Sequence, residues 1–164
     1  MNIGGVFLAE LEREGKSTEQ ILQRVPNDKL DWRPHPKSMT LGELAWHIAS
    51  IPRIAAGLVE NGTFDFANAK PPVYAGASDF VGRLRDSIAE ARRVVEPLDD
   101  EAIKGPFTMT RGDQVLQTMP KLAVIRAIML NHSYHHRGQL TVYLRLLDVP
   151  LPAIYGTSAD EKAF

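Results

Sequence analysis

Two histidines, His132 and His136, sit one helical turn apart on the apolar side of a helical pattern that runs from about Pro120 to Leu147. Each helical residue advances by about 100°, so Ile125, Met129, Leu140, Tyr143 and Leu147 all fall within roughly 80° of His132. Both imidazoles should therefore project from the buried face. Burying adjacent imidazoles demands partners for all their ring nitrogens. A metal ion satisfies one nitrogen of each, provided a third ligand arrives from elsewhere. His135 falls about 60° to the other side, at the edge of the face, where a structural or interface role is expected.

A third histidine comes from an earlier helix. Thr40-Leu41-Gly42-Glu43 fits a capping box, in which Thr40 caps the N-terminus and Glu43 reaches back. Leu41, Leu44, Ile48, Ile51, Ala55 and Leu58 then make one stripe, Pro52 bends the helix, and Asn61-Gly62 supplies the stop. His47 lies at the edge of that stripe, which makes it the third inward-facing histidine. By itself it would read as a hydrogen-bonded core residue. Together with the pair on the last helix it supports a metal site, although spacing does not fix whether the two helices are adjacent. Glu43 is a capping residue that could also orient the His47 ring. Gln139 and Tyr143 share the face of the pair and read as pocket or core-rim residues, and Arg137 points away, toward solvent or a subunit partner.

The remaining elements follow the same periodicity. Val6, Phe7, Leu11, Ile21, Leu22 and Val25 mark a first helix over Gly4 to Val25, ended by Pro26. Pro26 to Met39 is a connector, with His35 a solvated loop residue. Thr63 to Ala77 reads as loop. Ser78 should cap a third helix from Asp79 to about Val95, with Phe80, Leu84, Ile88, Ala91 and Val95 inside. Pro97 and Asp99-Asp100 end it. Phe107–Thr110 and Gln114–Gln117 around Arg111-Gly112-Asp113 are read as a small hairpin, after which Thr118 caps the last helix. The tail from Asp148 is irregular. Arg83/Arg85 and Arg92-Arg93 read as solvated faces, and Trp32 and Trp46 as packing residues.

Four amphipathic helices argue an all-α, four-helix bundle, and 164 residues argue a single domain over 1–164 with a full core. A formal charge of −1 gives no basic field for nucleic acid, and no stretch is apolar enough to span a bilayer. The start, Met1-Asn2-Ile3-Gly4-Gly5, has no secretion-signal pattern, so a cytoplasmic address is expected. The sequence holds no cysteine, which excludes thiolate ligands and a cysteine nucleophile within it. Any thiol chemistry needs a thiol from outside.

Three segments carry a family resemblance: Leu41-Gly42-Glu43-Leu44-Ala45-Trp46-His47-Ile48-Ala49, Asn131-His132-Ser133-Tyr134-His135-His136-Arg137-Gly138-Gln139-Leu140, and Pro152-Ala153-Ile154-Tyr155-Gly156-Thr157-Ser158-Ala159-Asp160-Glu161. Together they resemble the DinB/YfiT-like superfamily of metalloenzymes over essentially the whole chain. The resemblance implies an up-down-down-up bundle, a homodimer, and a divalent metal, commonly zinc or nickel, on His47, His132 and His136. It also implies a thiol-dependent transferase or isomerase using a low-molecular-weight thiol, such as glutathione, mycothiol or bacillithiol. The chemistry agrees. Three neutral imidazoles leave an ion its full charge and an open position, where a thiol would become a thiolate beside a small-molecule electrophile. Metal-assisted hydrolysis is the alternative enzyme class, but it needs a general base, and no Asp or Glu lies on the inner face of the last helix. A non-enzymatic dimeric bundle that binds a metal or ligand is the third reading.

Overall fold

The computed structural model describes residues 2–70, 73–76 and 78–163. It is dominated by helices, with one small sheet, in the order α1 (Ile3–Leu22), α2 (Leu41–Asn61), β1 (Thr63–Asp65), α3 (Phe80–Val95), α4 (Asp100–Lys104), β2 (Pro106–Arg111), β3 (Gln114–Pro120), α5 (Lys121–Val124) and α6 (His132–Leu146). A π-helical segment, Ile125–Asn131, joins α5 to α6 without a break, and a single 3₁₀ turn, Asn27–Lys29, lies in the connector after α1. Among the described residues no helix is long and apolar enough to cross a membrane.

The capping chemistry explains where the helices begin. Thr40 accepts from the Glu43 amide at 3.1 Å while the Glu43 carboxylate accepts from the Thr40 amide at 2.7 Å, so the capping box of α2 is complete. Helix α2 stops at Gly62, whose φ of 69° lies in the left-handed region that glycine tolerates best. Two expected caps are corrected. Asp79, not Ser78, caps α3, accepting from the Gly82 amide at 2.8 Å; its carboxylate also suits the positive end of the helix dipole. Thr118 caps nothing, because it stays in β3 opposite Thr108, and the extended Pro120 precedes the helix instead. The ladder continues three residues beyond Gln117, the expected end of the second strand.

Two elements were not visible in the pattern. Thr63–Asp65, expected as loop, pairs parallel with Thr108–Thr110 of β2, giving a sheet ordered β1-β2-β3 around the expected hairpin. The reason is positional: the Gly62 carbonyl accepts from the Thr108 amide at 3.0 Å and starts the ladder directly from the end of α2. Pro71, Pro72 and Ala77 of that stretch lie outside the described residues. Asp99 and Asp100 end α3 as expected but also open α4, with Asp99 accepting from the Ala102 amide at 2.7 Å.

Helix α2 packs most extensively on α3, and also on the π segment and α6; α1 lies against α3 and contacts α6. Gly15 lets α1 approach α3 closely, since a Cβ there would come within 2.6 Å of Ile88 Cδ1. The apolar core divides into two clusters. One gathers Leu8, Leu11, Ala55, Val59, Ala91, Val95, Ile103, Phe107, Met129 and Leu130. The other gathers Ile21, Leu22, Leu41, Leu44, Ile48, Phe80, Leu84, Leu140 and Leu144. Between them, in chain order, fall Glu14 and Thr18 on α1, Ser87 on α3, and the run His132–Arg137 on α6. The molecule therefore has a polar waist, with Glu14, Thr18, Ser50, Ser87 and Arg137 buried polar side chains of this region.

Candidate metal centre

The π segment sets the orientation of α6. Its last turn is closed by the His132 amide, which donates to the Ala127 carbonyl five residues back rather than four. The wider turn brings both Met129 and Leu130 inward, fully buried, and delivers His132 to the start of a regular α-helix. From there the 100° rule holds, and His136 lies directly one turn above His132.

The three histidines meet. His47 Nε2 lies 3.3 Å from His132 Nε2, and His132 Nε2 lies 2.6 Å from His136 Nε2. Candidate ligand atoms of the three residues all fall within 4.8 Å of one another, in a half-buried cluster that could hold a metal ion. Those separations are on the scale of the roughly 3.3 Å expected between two nitrogens each 2.0–2.1 Å from one tetrahedral ion. The adjacency of α2 and α6, which spacing left open, is therefore present.

The electrostatics suit ligation. Burial lowers the pKa of all three rings: His47 further by the charge of His132, and His132 further by that of His135. His136 is pushed down to about 4, chiefly by burial; Gln139 opposes the shift, and the charges of His47, His132 and His135 add to it. At neutral pH the rings are uncharged, the form that offers a lone pair to a cation. Gln139 adds direction. Its Oε1 lies 2.6 Å from His136 Nδ1, so Nδ1 carries the proton and Nε2 faces the cluster.

The other sequence candidates sort clearly. His135 is exposed, its ring stacked edge-on against His136 at 4.9 Å, and stands outside the cluster. Glu43 is occupied by its cap on Thr40 and makes no hydrogen bond to His47 among the described residues. Tyr143 donates to the Met39 carbonyl at 3.2 Å and packs against Trp32, away from the cluster. His35 lies exposed in the connector, accepting from the Lys37 amide at 3.2 Å.

Arg137 is corrected: it faces neither solvent nor a partner. It is buried against α1, where Nη2 donates to Glu14 Oε2 at 2.9 Å and to the Tyr155 hydroxyl at 2.6 Å. Nη1 donates to the Glu14 carbonyl at 3.1 Å and to Thr18 Oγ1 at 3.3 Å. One residue beyond His136, the side chain swings by about 100° from α2 toward α1. Burial raises the Glu14 carboxyl, but the Tyr155 hydroxyl and Arg137 outweigh it, and the net direction is down. The sequence alone assigns no role to Glu14, and none to Tyr155 beyond its place in the third family segment. The readable signal was a glutamate at helical spacing inside the α1 stripe, with Leu11 before it and Thr18 and Ile21 after. Arg83 is likewise half-buried, whereas Arg85 is exposed and paired with Glu19; residues two apart on a helix face opposite ways. Arg92 and Arg93 are exposed and paired with glutamates, as a solvated face requires.

The sequence profile of the DinB superfamily matches residues 10–140, most of the chain and every histidine of the cluster. The chain belongs to the DinB superfamily. It is 28% identical over 162 residues to an uncharacterized Bacillus subtilis protein, YrdA, covering 96% of this chain and 90% of that one. The crystal structure of a DinB-like protein from Bacillus subtilis superposes with a TM-score of 0.70 at 18% identity, covering 96% of this chain and 99% of its own. A DinB-like protein from Bacillus cereus ATCC 10987 gives 0.65 at 23% identity, covering 91% and 95%. These structural likenesses establish a DinB-like fold.

Proposed function

We propose that this DinB-superfamily chain is a metal-dependent enzyme that transfers a small external thiol onto a small electrophile. The observation that carries the reading is the convergence of three neutral imidazoles, His47, His132 and His136, with no carboxylate in the cluster and no cysteine in the sequence. In this reading the helices form the up-down-down-up four-helix bundle, the three Nε2 atoms hold a divalent ion, zinc or nickel, and the molecule works as a homodimer. The donor set fits such ions, since imidazole suits both.

His47, His132 and His136 would hold the ion without neutralising it, and its charge would supply the acidity that turns a bound thiol into a thiolate. The chain's own residues do the rest. Gln139 holds the His136 ring in the tautomer that presents Nε2. The half-buried surroundings of the three rings limit water, so charges brought together there would be screened less than in bulk solvent. Arg137, locked to Glu14 and Tyr155, fixes the rotation of α6 about its axis and so the direction of both of its histidines. Nothing in the cluster can take a proton from water as a carboxylate base would, which ranks hydrolysis below thiol transfer.

The test is calorimetric titration of zinc- and nickel-loaded protein with glutathione, mycothiol and bacillithiol. Binding of at least one thiol that requires the metal and disappears in His47→Ala is expected. Loaded protein that binds none of them would overturn the reading.

A further inference from the structure

Of the chain's arginines, Arg13, Arg24, Arg85, Arg92, Arg93, Arg126, Arg137 and Arg145 each lie within ion-pair distance of a carboxylate. Among the described residues four have no such partner, and three of these, Arg33, Arg53 and Arg111, are exposed. Arg83 is the exception: a half-buried guanidinium with no carboxylate at ion-pair distance among the described residues. A partly desolvated charge left unpaired is costly, so what surrounds it is informative.

Arg83 is held in place on two sides. Its Nε donates to Ser50 Oγ at 3.0 Å, and Ser50 itself is only 2% exposed. Its Cζ sits 4.9 Å from the centre of the Trp46 ring, a cation–π contact, and Tyr74 braces that ring from 6.3 Å. The guanidinium plane is thus fixed while both Nη groups have no hydrogen-bond partner among the described residues. The charges around it are Asp86, which favours the cation, and Arg53, which opposes it. The location is also informative. Trp46 and Ser50 flank His47 in the sequence, and residues three apart on a helix have Cβ atoms about 5–6 Å from each other. The anchored guanidinium therefore sits where α3 packs on α2, against residues that adjoin His47 in the sequence.

We propose that Arg83 is an anion-recognition site on this face and that its ligand carries a carboxylate. The planar fork of the two Nη groups, without a partner among the described residues, matches two carboxylate oxygens. Among the described residues the only other cation acting on it, Arg53, is offset by the Asp86 carboxylate, so the site suits a monovalent group better than a phosphate dianion. The inference rests on the surroundings of Arg83 and not on the metal reading.

The test is an NMR titration of EDTA-treated full-length protein with succinate, and in parallel with neutral succinamide, at constant ionic strength. The Arg83 Nε–H and Trp46 indole N–H signals are followed. Saturable shifts with succinate and none with succinamide are expected. In Arg83→Gln the Trp46 response should weaken at least tenfold, and Arg83→Lys, which keeps charge without the fork, should fall between. Dispersed backbone signals confirm that each variant is folded. Equal shifts from both compounds, shifts that do not saturate, or unchanged succinate binding in both variants would overturn the proposal. Because no metal is involved, success or failure here is separable from the thiol titration.

Discussion

Replacing Glu14 by leucine leaves the Arg137 guanidinium buried without a counter-charge, and the structure sets the scale of the loss. The two side chains are 9% and 6% exposed, and Arg137 makes four hydrogen bonds, two of them to Glu14. Removing one partner of such a pair costs about 3–5 kcal/mol, because the remaining charge stays desolvated. For a chain of this size each kcal/mol moves the melting temperature by about 2–4 °C, so Glu14→Leu should melt about 6–20 °C lower. Arg137→Met should cost a comparable amount. The double variant should instead return to within about 1 kcal/mol of wild type, because replacing a buried pair by apolar groups is often neutral or better. Urea unfolding of the four proteins closes a double-mutant cycle. Single substitutions that each cost under about 1 kcal/mol and simply add in the double would refute the picture of a desolvated pair. The pair also predicts a pH dependence. The folded carboxyl of Glu14 lies below its ordinary value of 4.5. Its contribution is therefore fully present above pH 4.5 and lost as pH falls through the lower folded value. Glu14→Gln should flatten that part of the acid limb.

Four further outcomes follow from the cluster and the backbone. Metal analysis of purified variants should show loss of the ion in His47→Ala, His132→Ala and His136→Ala and retention in His135→Ala; equal retention in all four would place the ion elsewhere. Gln139→Ala should weaken zinc binding by about 10–100-fold, measured by competition with a chelator, because the His136 ring loses its orienting acceptor. His136 titrates near 4 in the fold against 6.5 in the unfolded chain, so it stabilises the metal-free protein above pH 6.5 and this is lost as pH falls toward 4. Urea midpoints of wild type and His136→Gln between pH 4 and 7 should converge at the acid end. Gly62→Ala should cost about 1 kcal/mol in urea unfolding, since alanine resists the positive φ that ends α2.

The three ligand candidates were legible because helical periodicity is local. His132 and His136 are four residues apart on one helix, and His47 sits beside Ile48 and Ile51 at the edge of its stripe. The same rule failed for Arg137 and Arg83, and for one reason. Periodicity gives a helix one inner direction, whereas a packed helix meets different neighbours on different sides. Arg137 turns to α1 and Arg83 reaches across to α2, and nothing within either helix encodes which neighbour stands there. The π segment was equally hidden, since its apolar residues fit an ordinary helix almost as well. Thr63–Asp65 became a strand only because Thr108 lies across from Gly62.

Taken alone, the sequence determined where the four long helical stretches lie, which of their faces are apolar, that no thiolate of its own can ligate a metal, and which three imidazoles point inward. Those properties depend on side-chain chemistry and a fixed rotation per residue. The tertiary structure decided that the imidazoles meet, which tautomer His136 adopts, and how the buried charges are paired. Each of these depends on distances between residues remote in the chain, such as the 85 positions separating His47 from His132, and only packing brings them together.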